Sequence, residues 1–258
     1  ALRALHGLID APRPPHGAPE VSEVLADTHA FGLAIGAAPR RLAAASRVRS
    51  CSCCWERRRS GFRSVSRSIC RRSSPDLQRS GAEICEGIDV SDAGSVADLR
   101  VQLQGVAIDV LINNAGILRY ERLGSIDYRT VLEQFEVNAL GPLRVTEALL
   151  TNLTKGAKVA LITSRMGSVA DNTSGGRYGY RMSKAALNMA GMSLARDLAP
   201  RGVAVAILHP GYVQTEMVGF GGDISADVSA QRLIARIDQL TLESTGSFWH
   251  SNGEMLPW

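Results

Sequence analysis

The chain has 258 residues, 45% of them hydrophobic and 21% charged, with a formal net charge of +4. That length and apolar fraction suffice for one sizeable globular core. No apolar run approaches the roughly 20 residues a membrane-spanning helix needs, so the expectation is a cytoplasmic protein with no membrane partner.

The charge is unevenly spread. Residues 1–80 hold fourteen Arg, no Lys and six acidic residues, a net of +8, whereas residues 81–258 hold fifteen basic and nineteen acidic residues, a net of −4. Four of the five cysteines also fall in the first stretch. The chain therefore divides into an atypical Arg-rich segment, 1–80, and an α/β domain, 81–258. Pro12, Pro14, Pro15 and Pro19 break up the first twenty residues, and residues 21–46 leave room for a short helix. Cys51, Cys53 and Cys54 have no partner pair or histidine cluster, so no metal site is expected. Clustered Arg and Ser from Arg57 to Arg72 is compatible with a nucleic-acid tail or a targeting peptide. A solvated, disordered stretch is the physical expectation, and nucleic acid is not the expected partner.

From Gly81 onward apolar strands alternate with helical stretches. Ile88-Asp89-Val90 precedes a helix that begins near Gly94 and closes at Val101 to Leu103. Ile108 to Ile112 is a buried strand running into Asn113-Asn114-Ala115-Gly116, small residues that let a ligand approach the backbone. Val131 to Leu153 reads as one long helix with a polar Asn138 in an apolar pattern. Val159 to Ser164 is a second buried strand, Tyr178 to Leu198 a second long helix, and Val203 to Leu208 a third strand entering His209-Pro210-Gly211. Gly211 to Asp227 is polar and glycine-rich, as a mobile lid would be. The tail Gly246 to Gly253 suggests an edge strand and a turn at Asn252-Gly253. This alternation implies a doubly wound parallel sheet covered on both faces by helices. Ligands then bind beyond the C-terminal strand ends, where Asn113, Ser164 and Pro210 fall.

Tyr180 and Lys184 stand four apart on the second long helix, sixteen residues after Ser164. Residues i and i+4 share a helix face, so the ammonium lies near the phenol. A nearby cation favours the phenolate and draws the tyrosine pKa down from about 10, which suits general acid–base work. A hydroxyl at Ser164 can hold a substrate oxygen beside it. Thr163 and Ser168 compete with Ser164, and Tyr178 with Tyr180, but only Tyr180 precedes a lysine by four.

These motifs, in this order, resemble the short-chain dehydrogenase/reductase family, over about two-thirds of the chain from Gly81 to Trp258. Ser164 to Gly176, Phe248-Trp249 and the terminal Leu256-Pro257-Trp258 are most similar to the branch of Sniffer-type carbonyl reductases and bacterial C-factor. The resemblance implies a Rossmann-like fold and hydride transfer between NADP or NAD and a small carbonyl or alcohol substrate. It makes Tyr180 the acid/base, Lys184 its modulator and a ribose ligand, Ser164 the substrate-orienting hydroxyl and Asn138 the anchor of a proton-relay water. It places Asp89 against the adenine, and Asn113, Asn114, Ala115 and Gly116 on the adenosine side. Pro210, Gly211, Val213 and Thr215 then flank the nicotinamide. It also implies a homo-oligomer built on the Ala- and Met-rich helix from Met182 to Leu198. The competing expectation is a catalytically impaired remnant that serves in interaction or signalling.

That expectation arises because the family's opening Gly-rich phosphate turn is missing. Gly32, Gly36 and Gly61 are isolated and wrongly spaced, so the first strand-turn-helix unit is absent or malformed. Read two bases later, the codons of Cys53-Cys54-Trp55-Glu56 give Leu-Leu-Gly for any synonymous choice, which suggests a reading-frame shift. With Ala1 in first place, the chain is also read as a fragment or processed product. The nucleotide sequence across codons 45–82 decides the frameshift: a coding signal in the alternative frame supports it, and a single uninterrupted frame rejects it.

Overall fold

The computed structural model describes residues 83–258 and, as backbone, two strands before them. Among the described residues there are seven strands: β1 (Gly32–Gly36), β2 (Arg67–Cys70), β3 (Glu83–Cys85), β4 (Ile108–Asn113), β5 (Leu153–Ile162), β6 (Ala204–His209) and β7 (Phe248–His250). They form one sheet in the order β3-β2-β1-β4-β5-β6-β7. Among the described residues five helices accompany them: α1 (Ala93–Gln102), α2 (Tyr128–Phe135), α3 (Gly141–Ala148), α4 (Tyr178–Leu198) and α5 (Ala226–Gln239). This is the expected Rossmann-like doubly wound fold.

β4 to β7 run parallel, and so do β2 and β3. β1 runs antiparallel to both its neighbours, with Leu33 beside Asn113 and Gly36 beside Val110. A parallel strand here would end at the ligand-binding edge and feed a turn into it. The reversed strand begins at that edge, which agrees with a malformed first unit. The helix expected within 21–46 is corrected at 32–36, which are strand. Cys51, Cys53, Cys54 and most of the Arg57-to-Arg72 run lie outside the described residues.

The central strands bury both faces. Leu111, Val159, Leu161 and Val205 point to one side, where they pack with α1, α3 and α4 through Leu99, Leu103, Val145, Leu149, Leu187 and Leu198. Their alternates Ile112, Ala160, Ile162, Ala206 and Leu208 meet Ala230, Leu233 and Ile237 of α5. Period-2 alternation of apolar residues on both faces is the pattern of a sheet covered twice.

Helix starts follow local chemistry. Asp92 caps α1 by accepting from the Ser95 amide at 2.6 Å, and Ser225 caps α5 through the Val228 amide. α4 has the expected limits, Tyr178 to Leu198, and a 3-10 turn and Gly202 at φ +72° close it.

The long helix expected from Val131 to Leu153 is corrected. α2 passes into a π-turn, Glu136–Leu140, then α3, and Leu153 already belongs to β5. Leu149 and Leu153 are both core residues, so their apolar spacing continues a helical pattern across a turn. The turn is held by Asn152, whose amide donates to the carbonyls of Leu103 at 2.6 Å and Val106 at 2.7 Å. The tail behaves as expected: β7 is an edge strand, and Gly253, at φ +99°, closes the turn by donating to the His250 carbonyl.

The tightest contact between loop and helix is at Gly167. A Cβ there would lie 2.7 Å from the Lys184 carbonyl carbon and 2.9 Å from its oxygen, both backbone atoms. Gly167→Ala should therefore destabilise the fold by about 1–3 kcal/mol through overpacking. Urea unfolding reads this, and an unchanged midpoint would show that the loop is not seated against α4 as described.

Candidate active site

The C-terminal ends of β4, β5 and β6 deliver Asn113 to Gly116, Thr163-Ser164 and His209 to Gly211 to one edge of the sheet, and α4 lays Tyr180 and Lys184 across it. Ser164 leaves β5 in an extended conformation and caps a 3-10 turn, its Oγ accepting from the Met166 amide at 3.2 Å. Its hydroxyl faces the Tyr180 phenol and acts to lower the phenol's pKa. Thr163 is excluded from that role, because its Oγ1 is engaged by Asn188 Oδ1 at 2.7 Å. Ser168 instead accepts from the Asp171 amide.

Lys184 is 4% exposed. Its Nζ lies 5.8 Å from the centre of the Tyr180 ring and donates to the Ile162 carbonyl at 3.0 Å. Burial pushes its pKa down to about 8. An ammonium has three donors, so those not aimed at Ile162 can serve a ligand's hydroxyl groups. Gly116 closes the space beside it, since a Cβ there would stand 3.5 Å from Nζ and 3.4 Å from Asn138 Oδ1.

The Tyr180 phenol departs from the expectation of a pKa drawn towards neutrality. Burial pushes it up, against a lowering by the Ser164 hydroxyl and by the charge of Arg177. The phenol is thus held protonated at neutral pH.

Asn138 sits in the π-turn and is fully buried. Its Oδ1 accepts from the Ile117 amide at 2.7 Å, and its Nδ2 donates to the Ile117 carbonyl at 2.9 Å and to Ser183 Oγ at 3.0 Å. It therefore ties the turn after Gly116 to α4. Insertions of this kind recur at functional sites.

The other expected residues divide. Asn113 is buried and turns its amide to Thr146 Oγ1, towards α3, while Asn114 and Ala115 continue the turn to Gly116. Asp89 Oδ1 accepts from both the amide and hydroxyl of Ser91, at 2.9 and 2.6 Å. The Pro210 carbonyl is fixed by Ser229 and Ser251. Gly211, at φ +98°, starts a loop whose neck is cross-linked, with Val213 bridged to Ile224 and the Asp223 amide bonded to the Tyr212 carbonyl at 2.7 Å. Thr215 is buried at its base and its carbonyl accepts from Phe220.

Two features escaped sequence reasoning. α4 begins at Arg177, in a left-handed conformation at φ +50° and without a side-chain cap. The missing acceptor comes from Glu121, 4% exposed, whose Oε2 takes the Gly179 amide at 3.2 Å and whose carbonyl takes the Arg177 amide. The signal was a helix start without Ser, Thr, Asp or Asn, which must find its acceptor elsewhere. The second is Arg165, which joins the Ser164 turn to the C-terminal tail. It lies 2.6 Å from Glu254 and 3.1 Å from Asp171, the latter off the hydrogen-bonding direction.

A doubly wound sheet with serine, tyrosine and lysine at its C-terminal edge defines an oxidoreductase of the dehydrogenase/reductase class. The chain belongs to the short chain dehydrogenase family, whose pattern matches residues 74–223. It is similar to the 1-hydroxy-2-glutathionyl-2-methyl-3-butene dehydrogenase of Rhodococcus sp., 44% identical over 74% of this chain and 87% of that one. It is 50% identical to C-signal of Myxococcus xanthus, over 58% of this chain and 93% of that one. Among solved structures it resembles the carbonyl reductase Sniffer of D. melanogaster, with a TM-score of 0.68 and 28% identity over 74% of this chain and 86% of that one. Structures it resembles hold NADPH or NADP, which supports a nicotinamide cofactor. Among the described residues no helix is long and apolar enough to cross a membrane, and no cluster of side chains suits a metal ion.

Lys184 carries a thermodynamic signature. Its pKa falls from 10.5 to about 8 on folding, so the unfolded chain binds more protons between those values. Stability lost to this burial is full below pH 8 and recovered as pH rises towards 10.5. The penalty is about 3 kcal/mol, offset by about 1 kcal/mol from the bond to Ile162. Lys184→Met should therefore be the more stable protein at pH 7, with an advantage that shrinks above pH 8. Denaturant titrations of both proteins at pH 7 and pH 10 check this, and a pH-independent difference would contradict it.

Proposed function

We propose that this chain is an NAD(P)-dependent carbonyl reductase or alcohol dehydrogenase acting on a small molecule. The observation that carries the proposal is the convergence on the Tyr180 ring of two buried groups, the Ser164 hydroxyl, which favours the phenolate, and the Lys184 ammonium at 5.8 Å. A bound nicotinamide supplies the hydride at the carbonyl carbon in reduction, or takes it in oxidation. The protein's part is position and a proton. Ser164 donates to the substrate oxygen, and Tyr180, kept protonated by its surroundings, delivers its proton to that oxygen as the carbonyl becomes an alcohol. In oxidation the same phenol oxygen receives the proton.

The residues present fit such a cofactor on its nicotinamide side. Lys184, with Tyr180, has donors that would serve the ribose hydroxyls; Pro210, Gly211, Val213 and Thr215 would flank the nicotinamide. Asp89 and the turn from Asn113 to Gly116 are assigned to the adenosine side. Asn138 holds that turn against Lys184 and is the assigned anchor of a relay water. The interaction or signalling reading is not favoured, since the chain belongs to an oxidoreductase family.

Tyr180→Phe should lower carbonyl reduction by about 10²–10⁴ while leaving the melting temperature in place. NADPH oxidation by the purified chain reads the rate. Near-native turnover in the variant removes Tyr180 from the mechanism.

We further propose a homo-oligomer through the outer face of α4. Met189, Ala190 and Ser193 line an open groove of about 370 Å³ with Leu143 of α3, and Met189 is 68% exposed. Light scattering at micromolar concentration should give a mass above one chain, and Met189→Glu should reduce it to one. A monomeric parent protein would reject the assignment.

A further inference from the structure

Beside the catalytic tyrosine stand two guanidinium groups with no carboxylate. Arg177 and Arg181 flank Tyr180 at the start of α4, and both reach Met166, two residues beyond Ser164. Arg177 Nη1 lies 3.9 Å from the Met166 sulfur, and Arg181 Nη1 lies 3.4 Å from the Met166 carbonyl. Arg181 also donates to Ser174 Oγ at 2.9 Å and to the Gly175 carbonyl. Arg177 is laid over the face of Tyr120, its guanidinium carbon 4.9 Å from the ring centre, so an exposed side chain is held in place.

The nearby acids are engaged elsewhere. Asp171 and Glu254 meet Arg165, and Glu121 receives Thr130, Gln134 and the Gly179 amide. Among the described residues neither Arg177 nor Arg181 forms an ion pair. The excess is local, because residues 81–258 carry four more acids than bases. Arg181 has its pKa lowered, first by burial and then by the charge of Arg177, so the two cations repel without an anion between them.

The backbone adds an independent mark. Gly175, Gly176 and Arg177 are three successive left-handed residues, at φ +62°, +64° and +50°. The first two positions carry the residue that suits this conformation. The third carries arginine, and strain of this kind is kept where a side chain has a task.

We propose that Arg177, supported by Arg181 and Tyr120, binds an anionic group of the substrate, a carboxylate borne away from the reacting carbonyl. This inference rests on the reductase reading and narrows its substrate class. A guanidinium gives a carboxylate two parallel N–H donors, so it selects acids over their esters.

The test pairs 4-carboxybenzaldehyde with its neutral counterpart, methyl 4-formylbenzoate. The full chain with NADPH should show a kcat/KM for the acid at least about tenfold above that for the ester, declining with added salt. In Arg177→Gly the ratio should fall to about one, and Arg177→Lys should restore part of it. Because glycine relieves the left-handed strain, the melting temperature of Arg177→Gly should be unchanged or raised, which separates loss of binding from loss of fold. Equal turnover of acid and ester by the parent overturns the inference and leaves the reductase reading intact. If neither aldehyde is reduced, the reductase reading fails, and calorimetric titration of 4-carboxybenzaldehyde into parent and Arg177→Gly still decides the anion site. Binding abolished by the substitution supports it, and absent or unaltered binding overturns it.

Discussion

The arrangement depends on one buried charge. Lys184 is folded into the space between β5 and α4 with a carbonyl of β5 as its acceptor. An ammonium in so little water is costly, and a pKa near 8 expresses that cost. The fold tolerates it because the surrounding geometry is over-determined. Gly116 and Gly167 permit the loops to close on the lysine, and Thr163 and Asn188 bond to each other beside it. The same desolvation raises the phenol of Tyr180. Two groups of opposite charge type are thus both pushed towards their neutral forms.

α4 is positioned from outside itself. Its first turn is received by Glu121, and Tyr180 and Lys184 are drawn to β5 through Ser164, Thr163 and the Ile162 carbonyl. The loop that carries Ser164 is held at its far side by the C-terminal tail, where the Ala170 amide donates to the Trp258 carbonyl and Trp258 stacks on Phe248 at 5.4 Å. Exposed ion pairs such as Arg165–Glu254 contribute little to stability by themselves. Their effect here is geometric, in that they fix the register of loop and tail.

Much of this was legible in the linear chain, for physical reasons. The Tyr180–Lys184 pair follows from helical spacing, and the ends of α4 from its composition. β4, β5 and β6 were visible because strands buried on both faces read as continuous apolar runs. Illegibility had three sources. Leu149 and Leu153 share a core across a turn, so hydrophobic spacing alone joined a helix to a strand. Glu121 caps a helix from more than fifty residues away, a relation that no local pattern encodes. The phenol's pKa depends on the balance of desolvation against charge, which spacing does not convey.

The π-turn at Glu136–Leu140 has a consequence for the evolution of this helix pair. A π-turn holds one residue more than an α-helical turn, so the extra residue is absorbed locally and the flanking helices keep their phase. Excision of one residue between 136 and 140 would heal the rod into regular α-helix and leave Val145 and Leu149 facing the core. What it would remove is the widened turn that carries Asn138 to Ile117. The contacts of the asparagine therefore depend on the extra residue, while the packing of α3 does not.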